Sequence, residues 1–135
     1  MLTRVHRVLL LVLVLAACSG SLDPIDPVWG KQACESCRML VSDPTYAAAL
    51  ADERGRRHYF DDIGCLDAYL VEHPRTKPRA LWVRVGARWM AAESARYTAG
   101  AASLMAYGFL AQETGALDFA GVRRGAAAHR EELAR

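Results

Sequence analysis

The sequence predicts an α+β fold: one small domain of two ββα-like halves, placed after a signal peptide and a short tether. Three observations carry that expectation. The chain has 135 residues, room for one core and not two. Strand-like runs at 58–60 and 81–92 are each followed, further along, by a stretch with helical spacing or helix-forming composition. Residues 1–17 differ in kind from the rest, with a basic start and then unbroken apolar sequence.

Arg4 and Arg7 open the chain, and residues 8–17 (VLLLVLVLAA) follow without a polar side chain. That run is shorter than the ~20 residues a bilayer-spanning helix needs, so it reads as a secretory signal peptide. Its end, Leu15-Ala16-Ala17-Cys18, looks like a bacterial lipobox, which predicts that Cys18 is lipidated and begins the mature chain. The plainer reading is cleavage near Ala17 with Cys18 a bystander. Residues 18–28 hold two Asp-Pro pairs and little apolar mass, and read as a flexible tether. The folded domain then spans 29–135. Its expected place is the cell envelope, anchored to a membrane by lipid and facing the periplasm or the cell exterior.

Within the domain, residues 30–40 form a Cys-bearing turn and Asp43-Pro44 another. Tyr46–Leu50 is Ala-rich and of undetermined type. Glu53-Arg54-Gly55-Arg56 reads as a hairpin tip and His58-Tyr59-Phe60 as a strand, with Asp61-Asp62 and Gly64 at its exit. Cys65, Leu66, Tyr69 and Leu70 recur at helical spacing over 64–72, and that helix stops before Pro74. Residues 81–85 alternate as a strand, Gly86-Ala87 turns, and 88–92 returns. Residues 103–111 read as a third strand or a loop plus strand, and 122–134 as a helix weakened by Gly125.

Net charge is +2, and Arg4 and Arg7 account for the excess. Residues 1–17 hold no acid, so the chain from Cys18 on is neutral and offers no electrostatic footprint for nucleic acid. No hydrolase elbow, phosphate loop or H-E-x-x-H occurs.

The chemistry lies in sulfur. With Cys18 assigned to lipid, Cys34, Cys37 and Cys65 remain, an odd number that leaves at least one thiol unpaired by intramolecular disulfides. Three readings compete. Soft thiolate and thioether ligands select Cu(I), and Cys34, Cys37, Met39 and Met105 supply them. A structural zinc site takes four closed ligands, which Cys34, Cys37, Cys65 and either His58 or His73 provide. A redox pair at Cys34 and Cys37 gives an envelope thiol–disulfide oxidoreductase. Each residue also has an ordinary reading. Met39, Met90 and Met105 fill core gaps. Cys34–Cys37 is a plain disulfide, with Cys65 a small buried hydrophobe. His73 is a helix-end cation, His129 is solvated, and Asp61-Asp62 are turn and cap residues.

Cys34-x-x-Cys37-x-Met39, then Asp43, Tyr46-Ala47-Ala48 and Phe60-Asp61-Asp62-Ile63-Gly64-Cys65, resembles the nitrous oxide reductase accessory protein family NosL. Met105, Gly108 and the apolar tail that follows match that family's later Thr-Pro-Met-Gly segment, in which Leu104 and Ala106 here replace Pro and Gly. The likeness spans about residues 29–112. It implies a lipid-anchored Cu(I) chaperone, not an enzyme, with a fold like a pair of ββα units. Cys37, Met39 and Met105 match its copper positions; Cys34 and Cys65 are extra ligands or a redox pair. The implied partner is a copper-receiving periplasmic protein, either nitrous oxide reductase or its ABC-type maturation transporter. Few ligands near the surface leave a coordination position open, through which the partner takes the ion by ligand exchange.

Overall fold

The computed structural model describes residues 22–135. The signal peptide, Cys18 and the first residues of the tether lie outside the described residues.

Strand β1 (Ala48–Ala51) turns back into β2 (Arg57–Phe60), which leads to helix α1 (Ile63–Glu72). Then come β3 (Ala80–Val85), β4 (Arg88–Ala91), β5 (Arg96–Ala99), β6 (Phe109–Gln112) and helix α2 (Phe119–Leu133). The pairing is antiparallel throughout: a four-stranded sheet in the order β2-β1-β3-β4 and a two-stranded sheet β5-β6. The α+β class holds, and each run of strands ends in a helix. The second run has four strands rather than two, because β3 and β4 complete the first sheet.

The Ala-rich stretch is strand β1, buried along its whole length. Alanine has no strand preference of its own; pairing on both edges imposes the conformation. Asp52 builds the predicted hairpin tip. Its carboxylate accepts the N–H groups of Arg54 at 2.9 Å and Arg56 at 3.0 Å, and the Arg56 guanidinium at 2.8 Å. Gly55 takes φ +78° there, a left-handed conformation suited to glycine. Asp62 caps α1 by accepting the Cys65 N–H at 2.9 Å, and the helix ends at Glu72 as Pro74 requires.

The β3–β4 hairpin follows the predicted alternation, with Val83 and Val85 buried on one face. Residues 103–111 are a loop that enters β6 at Phe109. Strand β5, absent from the sequence reading, is fixed by Tyr97, which is fully buried and donates through its hydroxyl to Ala92 O at 2.7 Å. Helix α2 begins three residues earlier than its composition suggests, capped by Asp118, which accepts the Gly121 N–H at 2.7 Å. Gly125 serves packing: a Cβ there would lie 2.5 Å from Phe109 Cζ. The two helices are tied by Asp67 of α1, buried and paired with Arg123 at 2.7 Å and Arg130 at 2.9 Å.

Residues 22–28 have no regular secondary structure, yet they are not a free linker. Asp26 accepts from Arg84 Nη1 at 3.0 Å and Trp89 Nε1 at 2.7 Å, and Ile25 O accepts from the Tyr59 hydroxyl at 3.0 Å. The Arg84 guanidinium lies between the rings of Trp29 and Trp89, at 5.7 and 5.4 Å. This stretch belongs to the folded unit, so the domain begins before Trp29. Among the described residues no helix is long and apolar enough to cross a membrane.

Candidate metal centre

The Cys turn is a small backbone knot. Arg38 N–H donates to Cys34 O at 3.1 Å and Cys34 N–H to Met39 O at 2.7 Å, with Arg38 at φ +66°. Ala33 and Leu40 bridge below it, and Glu35 N–H donates to Tyr59 O at 3.0 Å, which docks the knot on β2. Cys65 arrives from the first turn of α1, oriented by the Asp62 cap. The sulfur atoms of Cys34, Cys37 and Cys65 come within 4.8 Å of one another. All three are free thiols, so the disulfide reading of Cys34–Cys37 does not describe this state.

The three thiols differ in exposure and in charge. Cys34 and Cys65 are buried, while Cys37 is half-buried. Hydrogen bonding from the Cys65 thiol, together with the backbone N–H groups of Cys37, Asp61 and Ser36, outweighs burial and lowers Cys34 to about 6. Burial pushes Cys37 up to about 12, and Cys34 and Asp61 add to the rise. Cys65 rises further, because its thiol donates to Cys34 and because it is buried. Between about pH 6 and 9 these shifts favour a thiolate at Cys34 beside protonated Cys37 and Cys65.

Asp61 is the residue that sequence reasoning missed. Read as a turn residue, it is instead buried, and Cys37 Sγ donates to its Oδ2 at 3.3 Å. Its Oδ1 has no hydrogen-bond partner among the described residues. Burial raises this carboxyl, the Cys37 bond draws it back, and neighbouring Asp62 raises it again. The readable signal was an acidic pair just before Ile-Gly-Cys, one residue more than a helix cap needs. Asp62 is the cap, as expected.

The remaining candidates divide. Met39 follows the Cys turn directly, half exposed, and its N–H points at Cys37 Sγ. Met105 is half-buried in the β5–β6 loop and packs on the core. Neither histidine of the zinc reading joins the sulfurs. The His58 ring lies between two carboxylates, Nε2 at 3.2 Å from Asp52 and Nδ1 at 3.6 Å from Glu35. The His73 ring stacks on Tyr69 at 4.2 Å and its Nδ1 bonds Tyr69 O. His129, expected in solvent, meets the ring of Tyr107 edge-on at 5.0 Å.

Three convergent sulfurs can hold a soft metal ion, and nothing in their geometry demands a fourth protein ligand. Disulfide chemistry fits less well. The thiol with the lowered pKa, Cys34, is sealed from solvent, while the accessible one, Cys37, is held protonated. This chain matches no family model, no curated protein and no solved structure.

Proposed function

We propose that this chain is a copper carrier of the cell envelope, anchored through lipid on Cys18. It takes up Cu(I) on Cys34, Cys37 and Cys65, with Met39 and Met105 as thioether ligands at the mouth. It hands the ion to a copper-receiving periplasmic protein, nitrous oxide reductase or its ABC-type maturation transporter.

One observation carries the reading: three free thiols within 4.8 Å of one another, two buried and only Cys37 open to solvent. Soft sulfur favours Cu(I) over harder ions, and a single exposed ligand gives the ion one way in and out. Met39, half exposed and two residues after Cys37, suits the first contact, since a thioether binds Cu(I) without losing a proton. The chain carries the ion rather than transforming it, so its role is not that of an enzyme.

An anaerobic Cu(I) competition titration of the reduced chain tests this. The expected result is tight binding of one Cu(I), lost in Cys37→Ser and weakened in Met39→Ala. Binding no tighter than free thiols give, or indifference to both substitutions, overturns it. Zinc in protein purified without added metal points to the zinc-stapled module instead.

A further inference from the structure

Leu22 reaches the β1–β2 turn. A Cβ built on Gly55 would lie 3.9 Å from Leu22 Cδ1 and 3.8 Å from Arg79 Nη1. Beside it, Arg57 donates to Asp23 O through Nε at 3.1 Å and Nη2 at 2.5 Å. The N-terminal segment thus reaches the domain between the β1–β2 turn and the loop from α1 to β3. Those two segments wall a groove of about 510 Å³.

Basic side chains are in excess at this end. Arg54, Arg75, Lys77 and Arg79 are exposed, and their side chains make no hydrogen bond or ion pair among the described residues. Asp52 is already matched by Arg56 and His58. Arg54, Arg57, Arg75, Lys77 and Arg79 then stand against four exposed acids: Glu53 and Glu72 in the groove, Asp23 beside Arg57, and Glu93 in the cleft it shares with Arg79.

Distance supplies the second argument. Cys18 is four residues ahead of Leu22, and a chain of that length spans about 14 Å at most. A lipid on Cys18 holds this end of the domain against the bilayer. The sulfurs lie toward the other end, although Glu35 of the Cys turn reaches back to His58 of the groove at 3.6 Å. β2 starts at Arg57 and Asp61 follows its last residue, about 13 Å further at strand rise. α1 has the same polarity, with Cys65 in its first turn and His73, a residue of the groove, about 12 Å along its axis.

We infer that the end bearing Arg54, Arg75, Lys77 and Arg79 is a membrane-facing surface that rests on anionic phospholipid headgroups, with the tricysteine site held away from the bilayer. The inference rests on the lipid anchor proposed above. Basic side chains within a Debye length of an anionic leaflet add attraction to that of the acyl chains, and salt weakens it.

The full mature chain, reconstituted on vesicles, tests this by phenylglyoxal labelling of its arginines. One vesicle set is phosphatidylcholine alone; the other is equimolar phosphatidylcholine and phosphatidylglycerol. On the anionic set, labelling of Arg54, Arg75 and Arg79 is expected to fall several-fold and to recover in high salt. Arg38, exposed beside the Cys turn, serves as the control and keeps its labelling. The Arg75→Glu, Lys77→Glu double variant loses the protection at Arg54 and Arg79. Equal labelling on both vesicle types, or protection of Arg38 as well, overturns the inference and leaves the basic end to solvent or an acidic protein surface. Flotation with neutral vesicles reads the anchor separately. Should that fail, flotation with anionic vesicles alone, lost in the double variant, still supports the surface, and flotation with neither overturns it.

Discussion

The ring of Tyr107 lies against the Cα of Gly64, so the loop that carries Met105 is pressed onto the first turn of the helix that carries Cys65. A glycine is required at that contact, because a Cβ would overlap the ring. Gly64→Ala is expected to cost about 1–3 kcal/mol of stability, the usual price of forcing a methyl group into a packed contact. A urea midpoint equal to that of the parent chain would show that the loop does not close on α1.

Two positions before Gly108, Ala106 sits at φ +58°. A left-handed conformation strains any residue with a Cβ, and glycine relieves it while adding freedom to the unfolded chain. Ala106→Gly is expected to stabilise by about 0.5–1 kcal/mol, measured by the same midpoints. A loss of stability would mean the loop does not hold that conformation.

The thiols make stability depend on pH. Cys34 falls from the ordinary 9.0 to about 6, so its contribution is full above 9.0 and is lost as pH falls through about 6. Cys37 and Cys65 lie above 9.0, so the unfolded chain releases their protons first and stability declines past that point. The reduced, metal-free protein is expected to gain stability from about pH 6 to about pH 9 and then lose it. Cys34→Ser flattens the rising limb. Thiolate absorbance gives an independent reading: one thiol titrates near 6, and an onset near 9 for all three would refute the assignment.

Ligand substitutions should separate the sulfurs. Cys65→Ala removes both a sulfur of the cluster and the donor to Cys34, so it is expected to lower Cu(I) affinity and to raise the Cys34 titration together. Met105→Ala is expected to lower affinity without moving that titration. Asp61→Asn, beside a ligand rather than one itself, is expected to change affinity by about 10–100-fold. Affinities equal to that of the parent chain in all three variants, in an anaerobic competition titration, would remove this cluster as the site.

Arg84 holds the N-terminal stretch through Asp26 and the two tryptophan rings. Lysine keeps the charge but has no planar face to stack and no fork to bond Asp26. Arg84→Lys is expected to speed hydrogen exchange and proteolysis across 22–28 while the strands keep their protection. Unchanged exchange there would mean the stretch is held by its own packing.

Elements with strong local signals were legible. The hairpin at 81–92 has alternation and a glycine turn, and α1 has helical spacing, an acidic cap and a following proline. Strand β5 and the type of β1 were not, since four residues such as Ala48–Ala51 or Arg96–Ala99 are too few to show a period. Their conformation comes from partners distant in sequence: β1 from β2 and β3, β5 from β6 and the buried Tyr97. The onset of α2 hid behind Gly121 and Gly125, which lower helix preference in the window but leave room for Leu117 and Phe109.

The candidate site divides along the same line. Composition and spacing alone single out Cys34, Cys37 and Met39 as candidates, because sulfurs three and five positions apart in one turn share a local geometry. That Cys65 completes the cluster, that neither His58 nor His73 does, and that Asp61 faces Cys37 depend on how β2 and α1 pack against the turn. So do the inequality of the three thiols and the docking of residues 22–28, since burial and hydrogen bonding exist only between segments far apart in the chain. Chemical type is a property of side chains and can be read one residue at a time. Depth, partner and protonation belong to pairs of residues that only the fold brings together.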